Sequence, residues 1–193
     1  MNLRLLRLFL SFLLVMLASV LVALVVFDRE PAPVPVPVAS IPALGKFLPA
    51  ATRGEPLELG FQDAAGAARN LVEFRGRVVL INLWATWCAP CITEMPALDR
   101  LQARLGGPDF EIVAIALDRQ GEPLVRPFFD KLGLARLALY LDPGNAVSRT
   151  LEARALPISV LVDRDGREIG RVIGPAEWDA PQFAELVRAA MAR

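Results

Sequence analysis

The stretch that decides the fold is Ile81–Leu98, INLWATWCAPCITEMPAL. It starts inside a continuous apolar run, Arg77–Trp84 (RVVLINLW), which has strand length and suits burial on both faces. It ends in a helical pattern: Met95, Leu98, Leu101 and Leu105 recur on one face until Gly106-Gly107 stops them. Between strand and helix stands Cys88-Ala89-Pro90-Cys91. A cysteine at a helix start sits near unpaired backbone N–H groups and the positive end of the helix dipole, both of which favour thiolate over thiol. A thiol pKa lowered from about 8.5 to about 7 raises the thiolate fraction at neutral pH from a few per cent to about half. Cys88 is therefore the expected attacking sulfur. Cys91, one turn on and expected to be buried, resolves the mixed disulfide. Pro90 suits the first turn, where a missing N–H costs least.

Other chemistries of this pair are weaker readings. A zinc half-site needs two further ligands, and the chain has only two cysteines and no histidine. Two inert core cysteines would leave the strand-to-helix context and the intervening Pro90 unexplained. A two-thiolate copper carrier stays open, since soft ligands suit Cu(I).

Outward from this segment the chain alternates strand and helix signals. Leu57–Phe61 and Arg69–Leu71 read as short strands around the turn Asp63–Gly66, and Phe110–Leu117 as a second buried strand. Pro123–Leu132 reads as a helix, Ala138–Leu141 as a short strand, and Asn145–Ala153 as a helix capped by Asn145. Ile158–Val162 and Arg167–Ile173 flank DRDG as a hairpin, and Pro181–Met191 closes the chain as a helix. The pattern predicts an α/β domain with a central mixed β-sheet flanked by helices on both sides. Trp84 is expected in the core, Trp87 half at the surface, and Trp178 in a packing role.

The chain has 193 residues, of which 54% are hydrophobic, above the usual ~45–50%. Leu8–Phe27 supplies the excess: 20 residues without a charge, about 30 Å as a helix, enough to span a bilayer core. Arg4 and Arg7 precede it, which places the N-terminus in the cytoplasm and the rest outside. The run is longer than a signal-peptide core and lacks a clean small-x-small site, so an uncleaved signal anchor is expected. PAPVPVPVASIP (31–42) follows, an extended stalk reaching on the order of 35 Å. The expected organisation is a cytoplasmic tip and transmembrane helix over 1–30, a proline-rich linker over 31–54, and the globular domain over 55–193. Lys and Arg total 21 and so do Asp and Glu, leaving no basic field for nucleic acid. The lack of histidine excludes Ser-His-Asp and Cys-His catalysis and His-ligated metals.

The segment Ile81–Leu98 resembles the active-site segment of the thioredoxin-like TlpA/ResA family of membrane-anchored thiol-disulfide oxidoreductases. Trp87 matches the Trp before the first cysteine, and Pro96 the helix-kinking Pro. Leu156-Pro157-Ile158 matches the family's cis-proline site, and GPAEW (Gly174–Trp178) resembles the TlpA branch. The resemblance implies a thioredoxin-like fold, with Cys88 and Cys91 as the redox-active disulfide and Glu94 as a carboxylate that holds or releases a proton beside them. It also implies that Trp87, Ala89, Pro90, Leu156 and Pro157 meet the substrate, with the backbone of Leu156 open to a substrate strand. One position departs from ordinary thioredoxins: Asn82 stands where they carry a buried Asp, so carboxylate assistance falls to Glu94.

The function so implied is a periplasm-facing protein-disulfide reductase on the bacterial cytoplasmic membrane. Its family targets are respiratory-chain assembly proteins: apocytochromes c, or copper chaperones and copper-site subunits of cytochrome oxidase. No flavin or nicotinamide fingerprint occurs, so no cofactor is expected and electrons must come from a membrane thiol donor. Two alternatives are a copper-binding chaperone or scaffold and a disulfide-donating oxidase.

Overall fold

In a computed structural model the residues described are 13, 14, 16, 47–52 and 54–192. The chain divides into two compact units, Met1–Pro35 and Val36–Arg193. In the first unit Leu13, Leu14 and Met16 are helical and exposed. Apart from these three, the expected anchor at 8–27 and stalk at 31–42 lie outside the described residues. Among the described residues no helix is long and apolar enough to cross a membrane.

The second unit is organised by one strand. Val78–Trp84 (β4) is buried at all seven positions. Alternation along the strand sends Val78, Leu80 and Trp84 into one hydrophobic cluster and Val79, Ile81 and Leu83 into another, so the strand lies between two cores. Around it stand Phe47–Pro49 (β1), Gly60–Asp63 (β2), Ala68–Asn70 (β3), Phe110–Ala116 (β5), Tyr140–Leu141 (β6), Ile158–Val162 (β7) and Glu168–Ile173 (β8). The sheet order is β1-β8-β7-β4-β5-β6-β2-β3. β4 pairs parallel with β5 and antiparallel with β7, which makes the sheet mixed.

Among the described residues four helices complete the domain: Ala89–Leu105 (α1), Glu122–Leu132 (α2), Ala146–Thr150 (α3) and Pro181–Met191 (α4). α1 and α2 link β4, β5 and β6, three parallel neighbours that advance in one direction, so right-handed crossovers put both helices on one face. Met95, Leu98 and Leu101 of α1 and Val125 and Phe129 of α2 accordingly share the Trp84 cluster, joined by Phe183 and Val187 of α4. Trp84 and Phe129 pack with ring centroids 5.8 Å apart. Val147 of α3 and the 3₁₀ turn Leu71–Phe74 cover the other face.

Several local expectations are corrected. Phe47–Pro49 lies within the expected linker, yet it pairs antiparallel with β8 as the sheet edge. Gly170 permits this pairing: a Cβ there would lie 2.6 Å from both the Leu48 carbonyl oxygen and the Phe47 ring. β2 begins only at Gly60, leaving Leu57–Leu59 outside it. β6 shrinks to two residues because the Arg136 and Leu137 N–H groups bond to Asp99 on α1, holding the preceding chain as a loop. α3 stops at Thr150, and Glu152 just beyond it has φ 52°, which helix cannot continue through. Asn145 occupies the N-cap position but makes no side-chain cap bond. Asp142 caps instead, accepting from the Ala146 N–H at 3.0 Å and the Val147 N–H at 2.8 Å.

Candidate active site

The cysteine pair lies where β4 ends and α1 begins. The turn between them is held from the side. Asp118, buried after β5, accepts from the Thr86 N–H at 3.0 Å and the Thr86 hydroxyl at 2.6 Å, and the Cys88 N–H donates to the Ala85 carbonyl. Cys88 is the N-cap of α1, with extended backbone (φ −92°, ψ 94°). Its Sγ accepts a hydrogen bond from the Cys91 N–H at 3.3 Å. One of the orphan donors of the helix start is thus aimed at this sulfur, which is how a helix N-terminus lowers a thiol pKa. Pro90 falls within the first turn, as expected.

Cys88 and Cys91 form a disulfide, with Cα atoms 5.2 Å apart. Cys91 is fully buried and Cys88 is 6% exposed, so Cys88 is the sulfur that meets the surface. Trp87 is 71% exposed beside it, more open than a half-surface residue. An open groove runs from Cys88, with Trp87, Ala89 and Pro90 on one side and Arg154 and Leu156 on the other. Among the described residues the Leu156 backbone makes no hydrogen bond, whereas the Pro157 carbonyl accepts from the Gly174 N–H. The Leu156–Pro157 bond is cis. Pro157 itself is buried and does not line the groove, so of the expected substrate-facing set it alone lies behind the surface.

Beneath the disulfide, one turn beyond Cys91 on α1, Glu94 is 4% exposed. Its Oε1 accepts from the Asn82 amide at 2.9 Å, and its Oε2 accepts from the Ala176 N–H at 3.0 Å and the Trp178 indole N–H at 3.1 Å. Asn82 also donates to the Ser159 hydroxyl at 2.9 Å, and its own Oδ1 has no partner. Burial pushes the Glu94 carboxyl up from 4.5 to about 7, against the pull of the Ala176, Asn82 and Trp178 hydrogen bonds, which favour the anion. A carboxyl poised near neutrality can take up or release a proton as the neighbouring thiols change state.

The structure brings together Trp87, Cys88, Ala89, Pro90, Cys91, Glu94 and the Leu156-Pro157 pair. It adds four residues that sequence reasoning missed in this setting. Asp118 and Ser159 carried no local signal. Arg154 was an anonymous surface charge. Trp178, expected only to pack, is buried and bonded to Glu94. The GPAEW resemblance marked its segment without saying what it does.

The Redoxin family matches residues 43–188 of this chain. The thiol-disulfide oxidoreductase ResA of Bacillus thuringiensis (strain Al Hakam) is 32% identical over 112 residues, which span 58% of this chain and 64% of that protein. ResA of Bacillus thuringiensis subsp. konkukian is 31% identical over 144 residues, 71% of this chain and 81% of its own length. Among solved structures, a secreted thiol-disulfide isomerase from Corynebacterium glutamicum superposes with a TM-score of 0.62 at 23% identity, covering 78% of this chain and 95% of that one, and so shares the fold. The family match runs from just before β1 to within α4 and takes in the whole sheet and both cysteines. On that footing this chain belongs to the Redoxin family, alongside the thioredoxin-like thiol-disulfide oxidoreductases of the ResA type.

Proposed function

We propose that this chain is a protein-disulfide oxidoreductase that works as a reductase. In the reduced enzyme the Cys88 thiolate attacks a target disulfide, forming a mixed disulfide and releasing one target thiolate, which takes up a proton. Cys91 then loses its proton and attacks the Cys88 sulfur. The second target thiolate leaves, and the Cys88–Cys91 disulfide remains. Two electrons have passed to the target. A membrane dithiol donor, oxidised in turn, restores the reduced pair. The order of attack rests on one observation: the surface sulfur is the helix cap that receives the Cys91 N–H, while its partner is fully buried. Glu94 serves as the proton-holding group close by on the same helix.

The substrate meets the groove beside Cys88. Trp87 gives it an apolar face, and Leu156 gives it free backbone groups for an extended target segment. We assign the domain to the periplasmic side of a bacterial cytoplasmic membrane, tethered by the uncharged run at 8–27. The resemblance to the TlpA/ResA family supports disulfides of respiratory assembly proteins as the targets, in cytochrome c biogenesis or at the copper site of cytochrome oxidase.

Cys91→Ser in the full chain, expressed in its own host, tests this reading. Cys88 can then attack but cannot be released. The expected result is a set of covalent, reductant-sensitive adducts with respiratory assembly proteins, identified by mass spectrometry and absent from Cys88→Ser. Failure to accumulate any adduct contradicts the attack order, and adducts confined to unrelated proteins contradict the target class.

A further inference from the structure

The segment between β8 and α4, Gly174–Asp179, has no part in sulfur exchange itself, yet it closes over the buried end of the site. Two of its groups reach Glu94: the Ala176 N–H and the Trp178 indole N–H, both on Oε2. Its last residue, Asp179, accepts two hydrogen bonds from Arg100 of α1 at 2.9 and 2.7 Å. Trp178 is itself held, packed against Phe183 of α4 with ring centroids 4.5 Å apart and ring planes tilted at 45°. The segment is thus fastened to the helix that carries both cysteines and Glu94.

We propose that Trp178 is a positioning residue for Glu94: its indole N–H fixes the carboxylate in place and favours its ionised form. The three groups bonded to the Glu94 oxygens are a backbone N–H, an indole N–H and an amide N–H, all of them donors. An indole N–H cannot accept a proton. A carboxylate satisfies all three, whereas a protonated Glu94 must present its O–H to one of them unless the Asn82 amide turns its partnerless Oδ1 toward it. Burial works in the opposite sense and favours the neutral acid. Trp178 therefore supplies part of the balance that keeps Glu94 poised between its two states. It also explains why a tryptophan stands at this position: phenylalanine would pack against Phe183 but could not donate.

The groups about Glu94 are few. Cys91 lies one turn away on α1, Asn82 comes from β4 with Ser159 of β7 behind it, and Ala176 and Trp178 come from the segment. Only the Cys91 thiol among them titrates, and it does so only when the disulfide is reduced. The charged residues of the segment are Glu177, which is exposed, and Asp179, whose ion pair with Arg100 is partly exposed; none of these side chains bonds to Glu94. The consequence for sulfur exchange rests on the function proposed above. The contact between Trp178 and Glu94 does not.

The test uses the ¹⁵N-labelled full chain in detergent, with the disulfide oxidised so that no thiol titrates. The indole N–H resonances of Trp84, Trp87 and Trp178 are assigned by single substitution and followed from pH 5 to 9. The Trp178 resonance should move with a single midpoint near neutrality and stand still in Glu94→Gln, while that of Trp87 stays flat. A flat Trp178 resonance in the wild type, or an unchanged titration in Glu94→Gln, overturns the proposal. Trp178→Phe supplies the functional arm. In insulin reduction, the limb of the pH profile that Glu94→Gln removes should shift upward by about one pH unit, the size expected for losing one hydrogen bond to an anion. An unmoved limb also overturns it. If Trp178→Phe does not fold, the wild-type titration decides alone. If the chain reduces no insulin at all, the proposed function falls while the resonance test still stands.

Discussion

Replacing Glu94 by glutamine should change how stability depends on pH. The folded protein holds the Glu94 proton up to about pH 7, whereas the unfolded chain releases it near 4.5. The folded state therefore binds more protons across that window, and stability must fall as pH rises through it. The contribution is fully present below about pH 4.5, declines toward pH 7 and is gone above it. A rise of this size corresponds to about 3 kcal/mol. Glutamine has nearly the same shape and no proton to lose. Its oxygen can face the Ala176 and Trp178 donors while its amide meets Asn82, whose partnerless Oδ1 becomes the acceptor once that amide turns over. Urea unfolding of both proteins, oxidised, at half-unit steps from about pH 4.5 to 8 gives the difference directly. The stability of Glu94→Gln relative to wild type should rise by about 3 kcal/mol across the range and level off near pH 7 to 8. A difference constant within about 0.5 kcal/mol would show that Glu94 titrates alike in both states, and the poised carboxyl would be refuted.

Four further substitutions probe the scaffold and the substrate face. Asp142→Ala removes the side chain that caps Ala146 and Val147, and should cost about 1–2 kcal/mol in urea unfolding, while Asn145→Gly, which touches no cap bond, should cost far less. Gly170→Ala should drive β1 off the sheet edge, because the new Cβ meets the Leu48 carbonyl at 2.6 Å. The expected signs are a loss of about 1–3 kcal/mol and faster proteolysis around Phe47–Pro49, read by limited digestion. Trp87→Ala, at a side chain 71% exposed, should leave stability within about 0.5 kcal/mol yet raise KM for a protein disulfide, measured by insulin reduction.

What the sequence made legible was local. The cysteines, their strand and their helix occupy consecutive residues, and DRDG between two apolar runs marks the late hairpin without reference to anything distant. Pro157 could be placed by its neighbours alone. What stayed hidden depends on the fold bringing remote residues together. Trp178 and Glu94 stand 84 positions apart, and nothing near either residue announces the other. Asp118 steadies the turn before Cys88 from 32 residues away. Asn145 looked like a cap because asparagine favours that position, but the residue sits at φ 55° and Asp142 reaches both N–H groups first. β1 escaped notice because three residues ending in proline carry almost no strand signal, and only the bare backbone of Gly170 opens a place for them.

On the proposed attack order, Cys88 owes its nucleophilicity to its place at the start of α1. The most direct test is the rate of carbamidomethylation of the reduced Cys91→Ser protein by iodoacetamide as a function of pH. The expected midpoint lies below the ordinary thiol value of about 8.5, with the excess rate abolished by denaturant. A rate that follows an ordinary unfolded cysteine across the neutral range would contradict it.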